Sequence, residues 1–162
     1  MLEAAWWKGR RGEWYVVAQV ALFMLVAIGP RAWGGWPDWV FPDHVVVRAI
    51  GVALLLGGAC LLIAGGATLG SKLTPLPQPQ PGGRLLQSGA FCIVRHPMYS
   101  GGVLAAFGWA IIRQGWLTLV YAALVFVLVD VKSRREEAWL VAEYPEYATY
   151  RSRVRRFIPF VY

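Results

Sequence analysis

Four apolar stretches dominate this sequence and constrain its fold more than any other feature. They run from Trp14 to Gly29, from Val45 to Ala67, from Met98 to Ile112 and from Trp116 to Val129. A helix needs about 20 apolar residues to cross the hydrocarbon core of a bilayer. The last two stretches are short, which helix tilt or local bilayer thinning accommodates. We therefore predict an all-α, polytopic transmembrane bundle with about four spans.

The composition separates this chain from ordinary soluble domains. Apolar residues make up 57% of the 162 residues and charged residues only 15%, whereas soluble domains average about 45–50% and about 25%. The nine tryptophans are typical of membrane interfaces, where the amphipathic indole ring anchors a helix end. The length suits one domain, residues 1–162, embedded in the lipid bilayer.

The net charge of +7 is unevenly distributed. Lysine and arginine gather before the first stretch, in the loop from Ser71 to Arg95, and in the tail after Val131. The loops on the other side hold Arg31, Arg48 and Arg113. Because short cytoplasmic loops retain positive charge, both termini and the loop from Ser71 are predicted to be cytoplasmic. This interpretation of the charge is preferred to nucleic-acid binding.

Glycine and proline mark the connections between the stretches. The four alternating prolines of residues 74–83 favour an extended, semi-rigid spacer. Arg113-Gln114-Gly115 predicts a tight hairpin between the third and fourth stretches. Gly58 and Gly65 are seven residues apart and share a face of the second stretch, which predicts close helix packing.

The charged segment after Asp130 is predicted to be a helix as far as about Glu143. A second amphipathic helix is predicted from Glu146 to Arg156. On a helix, the neighbours Glu136 and Glu137 do not face the same way, so one is expected to point into a pocket and the other towards solvent or an arginine. Taken alone, the run is more typical of a solvated helix with weak ion pairs.

Arg95-His96-Pro97 precedes the third stretch and is the first candidate for a functional site. Proline suits the first turn of a helix, and the residue before it is pushed towards extended geometry, so His96 is predicted to be non-helical. The free N–H groups of a helix start favour an anion such as a carboxylate or phosphate. From chemistry alone, Arg95 and His96 serve equally well as interface anchors.

Other site chemistries find little support. Cys60 and Cys92 are interpreted as small apolar residues that fill space. His44 and His96 are not spaced like the ligands of a metal ion. The sequence has no Gly-x-Ser-x-Gly motif for a nucleophilic serine. No metal site is therefore expected.

A pair of motifs changes the balance in favour of an enzyme. The segment from Leu86 to Gly101 contains Arg-His-Pro-x-Tyr-x-Gly, and the segment from Glu136 to Pro159 contains Glu-Glu, Tyr-x-x-Tyr, basic residues and Ile-Pro. In this order they resemble the membrane methyltransferases of the isoprenylcysteine carboxyl methyltransferase and phospholipid methyltransferase group. The resemblance covers residues 72–162, and residues 14–67 would supply two N-terminal spans. Tyr144-Pro145-Glu146 departs from the Phe-Gly-Glu frequent in that group.

The resemblance implies S-adenosylmethionine as methyl donor and S-adenosylhomocysteine as product. The donor would lie in a cytoplasm-facing pocket capped by the amphipathic C-terminal helices. The residues expected to bind it are Gly89, Val94, Arg95, His96, Tyr99, Gly101 and one of Glu136 and Glu137. Arg153 or Arg156 is expected to be the catalytic cation that anchors an acceptor carboxylate, and Tyr147 and Tyr150 are expected to contact the acceptor.

The acceptor stays open at this point, as does the oligomeric state. A lipidic or small acceptor is expected, with methylation of an isoprenylcysteine-like carboxylate favoured. A phospholipid amine and a small thiol are the alternatives within the same chemistry. The alternative outside enzymology is a membrane protein whose basic face binds anionic lipid or a partner.

Overall fold

The computed structural model of the chain describes residues 12–35, 39, 44–70 and 85–162. These residues form five α-helices and no β-strand, which confirms the predicted all-α class. The helices are α1 (Glu13–Ile28), α2 (His44–Leu69), α3 (Pro97–Arg113), α4 (Trp116–Glu143) and α5 (Tyr147–Arg153). The cations of residues 8–11 and the predicted proline-rich spacer of residues 74–83 lie outside the described residues.

The four apolar stretches become the four long helices, with one difference at the last of them. The fourth stretch continues without a break into the charged segment, so α4 has 28 residues. At 1.5 Å per residue it is about 42 Å long, whereas the hydrocarbon core is about 30 Å thick. The apolar part of α4, as far as Val129, can therefore lie in the bilayer while the charged part after Asp130 extends beyond the hydrocarbon core.

The second amphipathic helix is shorter than the predicted segment from Glu146 to Arg156. It ends at Arg153, because Arg155 pairs in parallel with Val94 instead of continuing the helix. The backbone N–H of Arg95 donates to Arg155 O at 2.8 Å, and that of His96 donates to Arg156 O at 3.1 Å. The end of the chain is thereby fixed beside the start of α3.

Two helices, α2 and α4, are long and apolar enough to cross a membrane. The shorter apolar helix α1 has 16 residues and α3 has 17. Large apolar side chains on the outside of α2 are exposed, Val45 by 77% and Ile63 by 71%, as expected for a surface that faces lipid. The total of about four spans and the cytoplasmic orientation remain predictions.

A row of glycines joins α2 to α3 and confirms the predicted packing role of Gly58 and Gly65. Gly51, Gly58 and Gly65 are all buried. A Cβ added to Gly58 would lie 2.5 Å from Gly101 O and 2.6 Å from Ala105 N. The two antiparallel helices approach so closely because both lack side chains at the contact.

The remaining helices complete a bundle around a shared interior. α1 packs mainly against α4, and α3 packs against both α2 and α4. In the described part of the chain, α1 and α2 make almost no contact with one another. The apolar core that holds α1, α3, α4 and the C-terminal segment together consists of Val26, Ala106, Ala110, Ala122, Val125, Val129 and Phe157.

Candidate functional site

The start of α3 has the local geometry that its sequence predicts. Pro97 occupies the first helical turn, and His96 has φ −126° and ψ 64°, outside the helical region. The ring of His96 stacks on the ring of Tyr99 with centroids 5.4 Å apart. The Ser100 hydroxyl donates to Phe157 O at 2.9 Å. These contacts fix the His96 ring between α3 and the C-terminal segment.

Glu137 is the centre of a buried network of charges. The Glu137 side chain is 3% exposed, and its Oε1 lies 2.8 Å from the Nη2 of Arg95. The Nη2 of Arg156 lies 3.1 Å from Glu137 Oε2, and Nε2 of His96 lies 3.2 Å from Glu137 Oε1. One carboxylate thus holds together α4, the start of α3 and the C-terminal segment.

Arg95 and Arg156 have further partners that complete this network. Arg95 donates to the carbonyl oxygens of Arg151 and Val154 at the end of α5. Arg156 donates to Asp130 Oδ1 at 3.1 Å. Burial alone would lower the pKa of the Arg156 guanidinium, but its hydrogen bonds to the Glu137 and Asp130 carboxylates raise the pKa above its ordinary value. It therefore remains a fixed cation.

A cavity of about 650 Å³ lies next to this network, between α1, α2, α3 and α4. Its wall is largely apolar, and Phe23, Leu62 and Val129 are typical of it. Its polar side chains are Gln19, His96, Tyr99, Lys132 and Glu136. Ligand pockets commonly have this composition, with a few polar groups fixing orientation in an apolar cavity of about 300–1,000 Å³.

Glu136 faces the cavity, whereas Glu137 belongs to the buried network. The Tyr99 hydroxyl donates to Glu136 Oε2 at 3.0 Å. The Nδ1 atom of His96 lies 3.8 Å from the same oxygen. His96 therefore lies between the two glutamates, with one ring nitrogen towards each.

Lys132 and Gln19 are polar residues of the cavity that sequence reasoning missed. Lys132 is 2% exposed, and its Nζ donates to Gln19 Oε1 at 2.8 Å. The same atom lies 5.0 Å from the centroid of the Tyr99 ring. The signal for Lys132 was its spacing of four residues from Glu136, which puts both on one face of a helix. The signal for Gln19 was a polar residue within the first apolar stretch.

Tyr147 and Tyr150 are buried beside the network, and neither lines the cavity. The Tyr150 hydroxyl donates to Phe91 O at 2.6 Å. The Tyr147 hydroxyl has no hydrogen-bond partner in the described part of the chain. Burial raises the pKa of both hydroxyls above the ordinary value for tyrosine, so both remain protonated.

The other predicted site residues lie outside the cavity wall. Gly101 packs against the backbone of α2, and its neighbour Gly102 lines the cavity. Gly89 has φ +59°, and a Cβ there would lie 2.7 Å from Thr68 Oγ1. Val94 is fully buried by its pairing with the C-terminal segment.

The two predicted anchoring cations also lie away from the cavity. Arg153 is exposed at the end of α5. Arg156 is buried, and its guanidinium is directed at Glu137 and Asp130. Neither lines the cavity, whereas Lys132 does.

Comparison with known proteins identifies the family of the chain. The chain is 28% identical over 153 residues to the cobalt-zinc-cadmium resistance protein CzcN of Cupriavidus metallidurans, an alignment that covers 93% of this chain. The chain spans only 63% of the length of that relative. Residues 46–147, which include α2 from its third residue and the whole of α3 and α4, match the family of phospholipid methyltransferases. The chain therefore belongs to the phospholipid methyltransferase family.

Proposed function

We propose that the chain is a membrane methyltransferase that uses S-adenosylmethionine and methylates an acceptor with an apolar tail, with a carboxylate as the favoured target. One observation carries the proposal. The largely apolar cavity receives His96 and Tyr99 from the first motif and Glu136 from the second. Two motifs separated by a helical hairpin thus contribute polar groups to the same cavity.

The chemistry of these residues fits the donor. Glu136 would bind its amino group or ribose hydroxyls, because a carboxylate accepts charge-assisted hydrogen bonds. His96 and the start of α3 would receive its carboxylate, because helix N-termini favour anions. When bound, S-adenosylmethionine supplies a methyl group on a sulfonium, which passes to a lone pair of the acceptor while the electrons of the broken bond stay on sulfur.

The protein's contribution is mainly to hold and orient the reactants, which is the largest requirement of a direct displacement. The Glu137 network fixes Arg95 and His96. Stacking and the hydrogen bond to Glu136 fix Tyr99. The wall around them is largely apolar.

The surroundings of the cavity support an acceptor that arrives from the bilayer. Both α1 and α2 line it, and the two helices make almost no contact with each other in the described residues. An apolar tail would enter sideways between them. A carboxylate acceptor is already ionised at neutral pH and needs no base, whereas an amine or a thiol must lose a proton before or during transfer.

Calorimetry with purified protein in detergent tests the donor site. We expect saturable binding of both S-adenosylmethionine and S-adenosylhomocysteine. Transfer of a radiolabelled methyl group should then be screened over prenylated-cysteine carboxylates, phospholipid amines and small thiols. Absence of donor binding, together with salt-dependent binding to anionic liposomes, would support the non-catalytic alternative instead.

A further inference from the structure

The helices α1 and α4 both line the cavity, and they run antiparallel to each other. The guanidinium carbon of Arg135 lies 5.7 Å from the centroid of the Tyr15 ring, and one turn further along α1 Gln19 accepts a hydrogen bond from Lys132. A step of one turn forward on α1 therefore corresponds to a step of one turn backward on α4.

The part of each helix that lines the cavity is short. The polar end of the cavity lies at Glu136, which accepts a hydrogen bond from Tyr99. On α4 the lining ends seven residues before Glu136, at Val129, and on α1 it extends over the seven residues from Val16 to Phe23. At about 1.5 Å per residue, each of these distances is about 10 Å. The lining of both helices is thus limited to about two turns.

Packed side chains bound the apolar end of the cavity. One turn beyond its lining, Val26 of α1, Ala106 of α3 and Val125 of α4 belong to one apolar core, and each is exposed by 4% or less. Phe23 packs against that core and also lines the cavity. Phe23 therefore lies at the boundary between the cavity and the core.

Gly102 of α3 provides the space for the Phe23 ring at this boundary. A Cβ added to Gly102 would lie 3.0 Å from Phe23 Cζ, and the two Cε atoms would lie at 3.7 and 3.9 Å. The tip of the ring therefore occupies the place that a larger residue would fill. The position of the ring depends on a glycine in the interior of a helix, where alanine is intrinsically more favourable.

We infer that Phe23, seated on Gly102, limits the length of the acceptor, so that the protein takes a molecule whose apolar part ends within about two helical turns of Glu136. This inference rests on the proposed function, in which the reacting atom of the acceptor lies beside the donor at the polar end. The gap between α1 and α2 then serves for entry, and the bound chain does not extend back through it into the bilayer.

Two series of straight-chain probes test this limit. They are hexanoate, octanoate, decanoate and dodecanoate, and the alkylamines of the same lengths. Binding to the full chain in lipid nanodiscs is measured by calorimetry, and affinities refer to the free aqueous probe after correction for partition into empty nanodiscs. Each methylene group that becomes buried should raise the affinity about fourfold. Extended hexanoate is shorter than the lining and dodecanoate is longer, so in the series that binds, affinity should rise up to octanoate and stop rising before dodecanoate.

Two variants should move the limit in opposite directions. Phe23→Leu shortens the side chain at the boundary, so a chain just too long for the wild type should gain about fourfold in affinity for each further methylene group that is buried. Gly102→Ala adds a methyl group against the Phe23 ring, so the longest accepted chain should lose about fourfold while hexanoate is unaffected. Because alanine favours a helix more than glycine does, Gly102→Ala should remain folded.

Each variant has a matched control. Leu22→Ala truncates the neighbour of Phe23, which packs against the core without lining the cavity. Gly57→Ala adds a methyl group to α2 at a position where no atom of the described residues lies within 4 Å. Both controls should keep the wild-type dependence of affinity on chain length. This dependence is informative because a general loss of folded protein would lower all affinities together.

Four results would overturn the inference. The first is an affinity that keeps rising up to dodecanoate in the wild type, because the chain would then leave sideways into lipid. The second is no saturable binding of either series. The third is a dependence on chain length that neither Phe23→Leu nor Gly102→Ala alters. The fourth is an equal loss of S-adenosylmethionine affinity in Gly102→Ala, which would assign this end of the cavity to the donor. If the limit responds to Phe23 but S-adenosylmethionine does not bind, the proposed function fails while the length limit stands.

Discussion

On one side of α4, Glu137 is buried among arginines from two distant segments, whereas on the adjoining side Glu136 and Lys132 line a cavity. Successive residues of a helix are about 100° apart, so these two regions share the same stretch of backbone. In the network around Glu137, both carboxylate oxygens accept hydrogen bonds. Arg95, His96 and Arg156 contact Oε1, and Arg156 also contacts Oε2. In the cavity, Glu136 accepts from the Tyr99 hydroxyl.

The difference shows how one motif serves two purposes. A carboxylate that is saturated by arginines cannot bind a ligand without losing those partners, and removing one member of such a buried set is costly. Glu137 therefore stabilises the fold around the site. Glu136 borders the cavity, where we propose that it binds the donor. His96 connects the two regions, since its ring lies between both glutamates.

The largest expected effect comes from breaking the network with Glu137→Ala. This change leaves Arg95 buried without its carboxylate and Arg156 with only that of Asp130, which should lower the free energy of unfolding by about 3–5 kcal/mol. Unfolding in detergent, followed by circular dichroism against temperature and denaturant, measures it. Glu143→Ala removes an exposed glutamate from the same helix and should have little effect. If both variants are equally stable, Glu137 is not the centre of the network.

A smaller effect is expected from Glu136→Gln, which removes the charge from the cavity and keeps the shape of the side chain. Donor affinity should fall about 10- to 100-fold, in line with the loss of a hydrogen bond to a charged group. Stability should be close to that of the wild type, in contrast to Glu137→Ala. Calorimetry with S-adenosylmethionine measures the affinity, and Glu143→Gln is the control. Unchanged affinity would remove Glu136 from the donor site.

The smallest effect is expected from Tyr99→Phe, which tests how Glu136 is held. The change deletes the hydrogen bond to Glu136 and keeps the stacking with His96 and the ring beneath Lys132. Donor affinity should fall about 3- to 10-fold, at most about 1.4 kcal/mol, because the Tyr99 hydroxyl would act on the donor only through Glu136. Tyr121→Phe, on α4 outside the cavity, should match the wild type in the same titration. A loss as large as that of Glu136→Gln would show that Tyr99 contacts the donor directly.

Much of the fold follows from patterns that are local in the chain. The apolar stretches predict the four long helices, the proline after His96 predicts where α3 begins, and the seven-residue spacing of Gly58 and Gly65 predicts their shared contact. Each of these features depends on hydrophobicity, on backbone sterics or on helical periodicity. Such properties belong to short segments and are therefore readable in the sequence.

The sequence by itself determined the helical class, the two motifs and the fact that Glu136 and Glu137 must diverge. Only the tertiary structure decided which glutamate faces the cavity, because that depends on where the C-terminal segment packs. The pairing of Arg155 with Val94 brings Arg156 to Glu137 and leaves Glu136 to the cavity. The contacts of Lys132 also depend on the packing of the helices. It contacts Gln19 of α1 and Tyr99 of α3, and no local sequence pattern predicts that these residues meet.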